Sequence, residues 1–305
     1  MCIVCSPGLS FGTDRFMASS WVEHPQDIVV DDRRAIVTSS TWIQPTIGYS
    51  TFVSYSFETV ASASVRNSFG DLFTDTYQPL TEAQMTAARE ALRMWADASG
   101  LALIEVPSGW GDIRFEGNFN FLATDLVPSD TIAFANYPVI GGHSGIFVGS
   151  PETSSMYVML HEIGHALGLQ HPFEGSYTLD PMNDHIGRTV MAYNDRGPGG
   201  ELYTGDVLGP LDIEAIQYLY GAPTSDGMHV TSWNWNAATL TLTQVGGDAN
   251  NVIRGIGGHN VINGLGGNDT LNGARGNDIL DGGDHNDTLN GYAGDDVLTG
   301  GRGQD

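Results

Sequence analysis

The sequence contains no lysine. All 12 of its basic residues are arginine, set against 36 Asp and Glu, for a formal net charge of -24. Nucleic acid and anionic membrane surfaces attract basic patches, so this balance argues against both as partners and favours solubility and bound cations. Cysteine is almost as scarce: Cys2 and Cys5 are the whole supply. With both inside the first five residues, no disulfide framework can tie the fold together. No apolar run approaches the ~18 residues of a membrane-spanning helix. The start MCIVCSPGLSFG is too short, and lacks the basic flank, for a secretory signal peptide. What is present is ordinary in bulk, 41% hydrophobic residues over 305 positions, which predicts a packed core in one large domain or two ordinary ones.

Composition changes sharply near residue 222, where helical periodicity gives way to Gly, Asn, Asp and Thr. The chain therefore divides into an N-terminal extension over residues 1–48 and a large domain over 49–222. A linker over 223–251 and a repetitive module over 252–305 follow. The extension shows no sustained period and reads as a prosegment or as a wrap around the domain. In LTEAQMTAAREALRMWADASG, Thr81 followed by Gln84 is a capping box, Ala88, Leu92 and Trp95 share one face, and Gly100 supplies the stop. The runs TFVSYSF, LALIEV, DIRFEG, TIAFANY and SGIFVG are spaced as a twisted sheet crossed by one helix requires, giving an α+β domain.

The chemistry concentrates in HEIGHALGLQHP, residues 161–172. His161 and His165 stand one helical turn apart, so both imidazoles face the same side at a spacing one tetrahedral Zn²⁺ can bridge. Gly168 lets the chain leave the helix in a conformation closed to other residues, His171 then swings back as third ligand, and Pro172 stops the helix from resuming. A fourth position stays open for water. Five fixed positions coincide here, an accident expected in roughly one chain in ten thousand of this length. Three neutral imidazoles leave the metal's charge nearly intact, so bound water ionises near neutrality with Glu162 beside it as general base. His24, His143, His185 and His229 have no partner at ligand spacing and read as surface or core residues.

HExxHxxGxxH followed by a methionine turn is the metzincin signature, and downstream TVMAYN supplies Met191 and, two positions later, Tyr193. The run from about residue 50 to Ala222, closing on DIEAIQYLYGA, resembles a serralysin catalytic domain. The matrixins lack that tyrosine, whereas serralysins and astacins have it. The resemblance implies a twisted, mostly parallel five-stranded sheet plus helices, and zinc-dependent cleavage of proteins or peptides. It implies that Met191 floors the zinc site and that Tyr193 either ligates the resting metal or stabilises the oxyanion. It also makes TIAFANY the sheet's edge strand, where a substrate pairs main chain to main chain along Ala133, Phe134 and Ala135. A thiolate from Cys2 or Cys5 could occupy the open zinc position and hold the enzyme latent.

From Ile253 the chain repeats every nine residues: IRGIGGHNV, INGLGGNDT, LNGARGNDI, LDGGDHNDT, LNGYAGDDV, LTGGRGQD. Ile253, Ile262, Leu271, Leu280, Leu289 and Leu298 mark the apolar position, and Asp269, Asp278, Asp287, Asp296 and Asp305 the acidic one. The pattern resembles the RTX, or hemolysin-type, calcium-binding repeat and implies an all-β parallel β-roll. Each short strand buries one apolar side chain, too little to offset the entropy of ordering so many glycines, while stacked aspartates repel without a cation between them. With two units per turn, Asp269, Asp287 and Asp305 line one edge and Asp278 and Asp296 the other. Asn260 in an aspartate position and His285 in a glycine position depart from the pattern, and calcium is least expected at Asn260. The sequence ends mid-unit at Asp305, so a truncated roll is expected. The expectation is a secreted, extracellular, monomeric endopeptidase with one catalytic Zn²⁺ and several structural Ca²⁺, exported by type I secretion machinery. The rival from another class is a calcium-dependent adhesive or surface RTX protein whose protease domain is inactive. A matrixin-like protease is disfavoured by Tyr193 and by the repeats.

Overall fold

A computed structural model describes residues 4–5, 28–42, 48, 51–62, 77–118, 131–139, 142–149, 155–223 and 230–305. The apolar runs of the first half form one sheet from β1 (Val4–Cys5), β3 (Thr51–Phe57), β4 (Leu101–Glu105), β5 (Ile113–Asn118), β6 (Thr131–Ala135) and β7 (Ser144–Val148), in the order β1-β6-β7-β5-β3-β4. β4, β3, β5 and β7 run parallel, and β6 lies antiparallel to β7. Central β3 is buried on both faces at nearly every position, as a parallel strand covered by other layers must be.

Helix α1 (Glu82–Asp97) crosses the sheet. Its capping box forms as the sequence predicts: Gln84 N–H donates to Thr81 Oγ1 at 3.3 Å, and Thr81 N–H to Gln84 Oε1 at 2.8 Å. Ala88, Leu92 and Trp95 turn inward, and the Trp95 indole donates to Leu160 O in α2 (Met156–Ala166) at 3.2 Å. Residues 157–166 of α2 are all buried, so this helix lies in the middle of the core rather than on its surface.

Residues of the expected extension and of the expected linker both take regular structure. Part of the expected N-terminal extension is built into the domain: β2 (Ile28–Val30) pairs with β8 (Tyr177–Leu179), Val37 bridges Leu169, and Ala35, Ile36 and Trp42 are buried. Apolar side chains spaced without a regular period give no helix or strand signature, yet they fill the space beneath α2. The expected linker is likewise structured. β9 (Ser232–Asn236) and β10 (Thr241–Val245) form a hairpin, and β10 alternates buried Leu242 and Gln244 with more exposed neighbours.

That hairpin opens the roll. One face carries β10, β12 (His259–Asn263), β14 (Ile279–Asp284) and β16 (Val297–Arg302), and the other β11 (Val252–Arg254), β13 (Thr270–Asn272) and β15 (Thr288–Asn290). Ile253 pairs with Leu271 and Leu271 with Leu289, while Ile262 pairs with Leu280 and Leu280 with Leu298. Each step is 18 residues, so two nonapeptides make one turn. Ile253, Ile262, Leu271 and Leu280 fill the narrow interior. No helix among the described residues is long and apolar enough to cross a membrane.

Candidate metal centre

α2 positions two of the three histidines and its C-terminus positions the third. The last four helical carbonyls need donor partners, and each has one. Ile163 O accepts from Leu167 N, Gly164 O from Leu169 N, His165 O from Gly168 N, and Ala166 O from the Trp42 indole. Beyond them Leu167 O accepts from the Tyr220 hydroxyl in α3 (Pro210–Tyr220). Gly168 makes the exit turn at φ +104°, where a Cβ would stand 2.3 Å from Ser40 O. Only glycine fits that backbone and that contact.

The exit brings His171 over His161 and His165. Nε2 of His161 lies 3.1 Å from Nε2 of His165 and 3.2 Å from Nε2 of His171. Two ligands of a tetrahedral zinc at about 2.0–2.1 Å stand roughly 3.3 Å apart, so the spacing suits that ion. The opposite ring nitrogens are all engaged: His161 Nδ1 at 2.7 Å from Val190 O, His165 Nδ1 at 2.6 Å from Leu169 O, and His171 Nδ1 at 3.0 Å from a Glu174 carboxylate oxygen. Each acceptor draws the ring proton to Nδ1 and leaves the Nε2 lone pair aimed at the common centre. Burial, reinforced by the neighbouring imidazoles, holds His161 and His165 well below the usual histidine range, in the neutral form a metal needs. Among the described residues this is the one group of three His, Cys, Asp or Glu side chains placed to share an ion.

Glu162 follows His161 on the helix and is fully buried, with neither carboxylate oxygen hydrogen-bonded. Burial alone pushes its carboxyl well above the usual range. Tyr193, 37% exposed, reaches Oη to 2.8 Å from His171 Nε2. Met191 is buried beneath α2, its Sδ 2.6 Å from where a Cβ on Gly164 would stand, so only glycine at 164 leaves room for it.

Three supporting residues carry no motif. Asp212 on α3 is fully buried and accepts from Thr189 Oγ1 at 2.6 Å, Val190 N at 2.8 Å and Gly209 N at 2.7 Å. It thereby fixes Val190, whose carbonyl holds His161. Burial pushes the Asp212 carboxyl up and its three donors pull it back, to about 6. Its only trace in the sequence is an acid three residues after Gly209 at a helix start. Glu174 and Trp42 act through His171 and Ala166 from loop positions that no period marks.

The expected substrate strand β6 buries Ala133, Phe134 and Ala135, with Phe134 stacked on Phe147 at 4.4 Å. Its outer side is not free: Val4 pairs with Ala133 and Cys5 with Thr131, antiparallel. Cys2, His24 and His229 lie outside the described residues. His143 sits 3.7 Å from Glu116, and His185 stacks on Tyr203, both away from the three-histidine centre.

In the roll, the backbone N–H groups of Asp269, Asp278 and Asp287 donate to Oδ1 of Asp287, Asp296 and Asp305 respectively. Both aspartate ladders thus run along the edges at 18-residue steps. Oδ2 of Asp269, Asp278 and Asp287 is buried with no hydrogen-bond partner. Stacked carboxylate oxygens with nothing to accept from fit a hard cation such as calcium.

Residues 154–237 match the Met-zincin family, and residues 245–280 and 274–305 match the RTX calcium-binding nonapeptide repeat. Catalytic zinc and calcium are the cofactors of these two modules. Serralysin B of Dickeya chrysanthemi is 34% identical over 182 residues, covering 52% of this chain and 38% of that protein. A serralysin of Proteus mirabilis is 29% identical over 238 residues, covering 66% and 46%, and the metalloprotease AprA of Pseudomonas entomophila 31% over 198 residues, covering 53% and 39%. The chain thus spans less than half the length of these relatives.

Proposed function

We propose that this chain, a serralysin-like metzincin with RTX calcium-binding repeats, is a zinc-dependent endopeptidase that works outside the cell on proteins or peptides. One observation carries the reading: Nε2 of His165 and of His171 stand 3.1 and 3.2 Å from Nε2 of His161, and the unpartnered carboxylate of Glu162 lies buried beside them. His161, His165 and His171 would hold the metal. Zinc, when bound, supplies Lewis-acid polarisation of a peptide carbonyl and acidifies water beside it.

The protein's own groups do the rest. Glu162, held out of bulk water with no competing hydrogen bond, takes the proton of the attacking water and delivers it to the leaving amine. Tyr193 donates its hydroxyl to the carbonyl oxygen as negative charge develops there. Val190 and Asp212 keep the His161 ring from turning. A peptide lies along β6 by backbone pairing at Ala133–Ala135, which requires Val4–Cys5 to leave that edge. Aspartates of the roll hold calcium, and export by type I machinery followed by folding in calcium-rich surroundings suits such a module. The intact ligand set and Glu162 give no support to an inactive adhesive protein.

The test combines zinc analysis with digestion of a casein-like protein. Wild type should hold one zinc and cleave. Glu162→Ala should keep the zinc and lose about 10²–10⁴-fold in rate, the share of a general base. Activity surviving in that variant would assign the base elsewhere. Latency through a thiolate is tested separately: Cys2→Ser with Cys5→Ser should raise the activity of unprocessed protein, and no change removes that idea.

A further inference from the structure

The repeat begins one unit earlier than its apolar marks suggest. GGDANNVIR, residues 246–254, stands in register before the others, so Asn251 and Asn260 both occupy aspartate positions of the roll's first turn. Asn251 N–H donates to Asp269 Oδ1 at 2.7 Å and Asn260 N–H to Asp278 Oδ1 at 2.8 Å. Each heads one of the two edge ladders.

At Asn260 the residues do not fit calcium. The amide Nδ2 lies 2.9 Å from Ile256 O, 3.3 Å from Gly258 O, 2.8 Å from Gly273 O and 2.9 Å from Asp278 Oδ1. Oδ1 accepts from Ile256 N–H at 2.9 Å. Turning the amide over would set its oxygen against four oxygens and its NH₂ against an N–H, so the partners fix the orientation. The nitrogen therefore sits where three backbone carbonyls and a carboxylate oxygen converge, the kind of oxygen cage calcium takes. Asp269, Asp278 and Asp287 each keep one buried, unpartnered carboxylate oxygen, whereas both polar side-chain atoms of Asn260 are hydrogen-bonded within the protein.

The same turn is the one that meets the protease sheet. Arg254, 5% exposed, donates to Asp112 Oδ1 at 3.0 Å, to Phe52 O at 3.1 Å and to Gly255 O at 2.9 Å. Asp112, 1% exposed, also accepts from Ser54 N and Ser54 Oγ. Gly257 N–H donates to Ser54 Oγ at 3.2 Å, and a Cβ on Gly257 would stand 1.9 Å from Trp110 O. Ile256 packs with Phe52, Ile104, Val106 and Leu242. Removing Arg254 would leave a carboxylate buried without its charge partner where the roll meets the protease sheet.

We propose that the first turn of the roll, residues 251–260, is a calcium-free clasp: the Asn260 amide fills the ion position from within, and Arg254 stays on Asp112 whatever the calcium level. Calcium sites begin with the aspartates at 269 and 278. On calcium loss the roll frays from β16 inward and stops at the asparagine pair, leaving the protease sheet closed.

Hydrogen exchange on the full zinc-supplied chain, with and without calcium, reads this directly. Without calcium, amides of residues 270–302 should lose protection by more than about tenfold, while those of Ile256, Gly257 and His259, whose acceptors are Asn260, Ser54 and Leu240, and those of 52–57 change less than about twofold. Loss of protection at these three amides together with 270–302 would overturn the proposal. Asn260→Asp, refolded in calcium, removes the internal amide and restores the acid. Calcium titration should then count one more ion per chain than wild type, and exchange at these three amides should become calcium-dependent. An unchanged count, or exchange there that still ignores calcium in this variant, would refute the assignment.

Discussion

Asp212→Ala asks whether the Met191 turn and the zinc ligands are one mechanical unit. The carboxylate is fully buried and accepts three hydrogen bonds, two from backbone N–H groups and one from Thr189. A hydrogen bond to a charged group is worth about 1.5–3 kcal/mol. Three such bonds overcount a single site, because the donors share one acceptor and losses above 4–5 kcal/mol are exceptional, so a loss of about 4 kcal/mol is expected. At about 2–4 °C per kcal/mol for a domain of this size, Tm should fall by roughly 10 °C. Losing the anchor frees Val190, whose carbonyl holds His161 Nδ1 at 2.7 Å, so zinc affinity should fall about 10–100-fold, as it does when outer-shell partners are removed. Calorimetry on zinc-saturated protein measures the first effect and competition against a chelator the second. Asp206→Ala, an exposed acid on the same connection, should change neither. If Asp212→Ala lowered Tm but bound zinc as tightly as wild type, the link from Asp212 through Val190 to His161 would be wrong.

Tyr193→Phe should reduce kcat by about 10²-fold while KM and zinc content hold, as removal of an oxyanion donor does; a change in KM alone would place Tyr193 in substrate binding. Gly164→Ala puts a methyl 2.6 Å from Met191 Sδ, so denaturant titration should show a loss of about 1–3 kcal/mol from overpacking, and unchanged stability would mean the turn gives way freely. Glu116, 1% exposed, has its carboxyl raised from 4.5 to about 7, first by burial, with the Glu58 charge adding to it. The folded state then binds the proton more tightly than the unfolded chain between about pH 4.5 and 7, so this group's contribution to stability falls as pH rises through that window. Glu116→Gln should therefore stabilise the protein by about 2–3 kcal/mol at pH 8 and have little effect at pH 4. Equal effects at both values would show that the carboxyl is not perturbed.

The two repeating or spaced patterns were readable directly. His161, His165, Gly168 and His171 follow from helical geometry and one glycine turn, because a spacing of four residues on a helix fixes a distance in space. The nine-residue period fixes the roll for the same reason: Ile253, Leu271 and Leu289 must stack if two units close one turn. The capping box at Thr81 and Gln84 is local too, a matter of three residues of chain.

What the sequence could not fix are contacts whose partners lie far along the chain. Asp212 meets Val190 from 22 residues away, Trp42 meets Ala166 from 124, and Arg254 meets Asp112 from 142. No period or spacing encodes such pairs; they exist because one packed core brings the elements together and a buried donor or charge must find a partner there. The same holds for residues 28–42 and for the hairpin of β9 and β10, whose places were set by the surfaces they cover. Local pattern thus determined which residues could bind metal. Tertiary packing decided how those ligands are held, which edge strand is covered, and which turn of the roll is joined to the protease sheet.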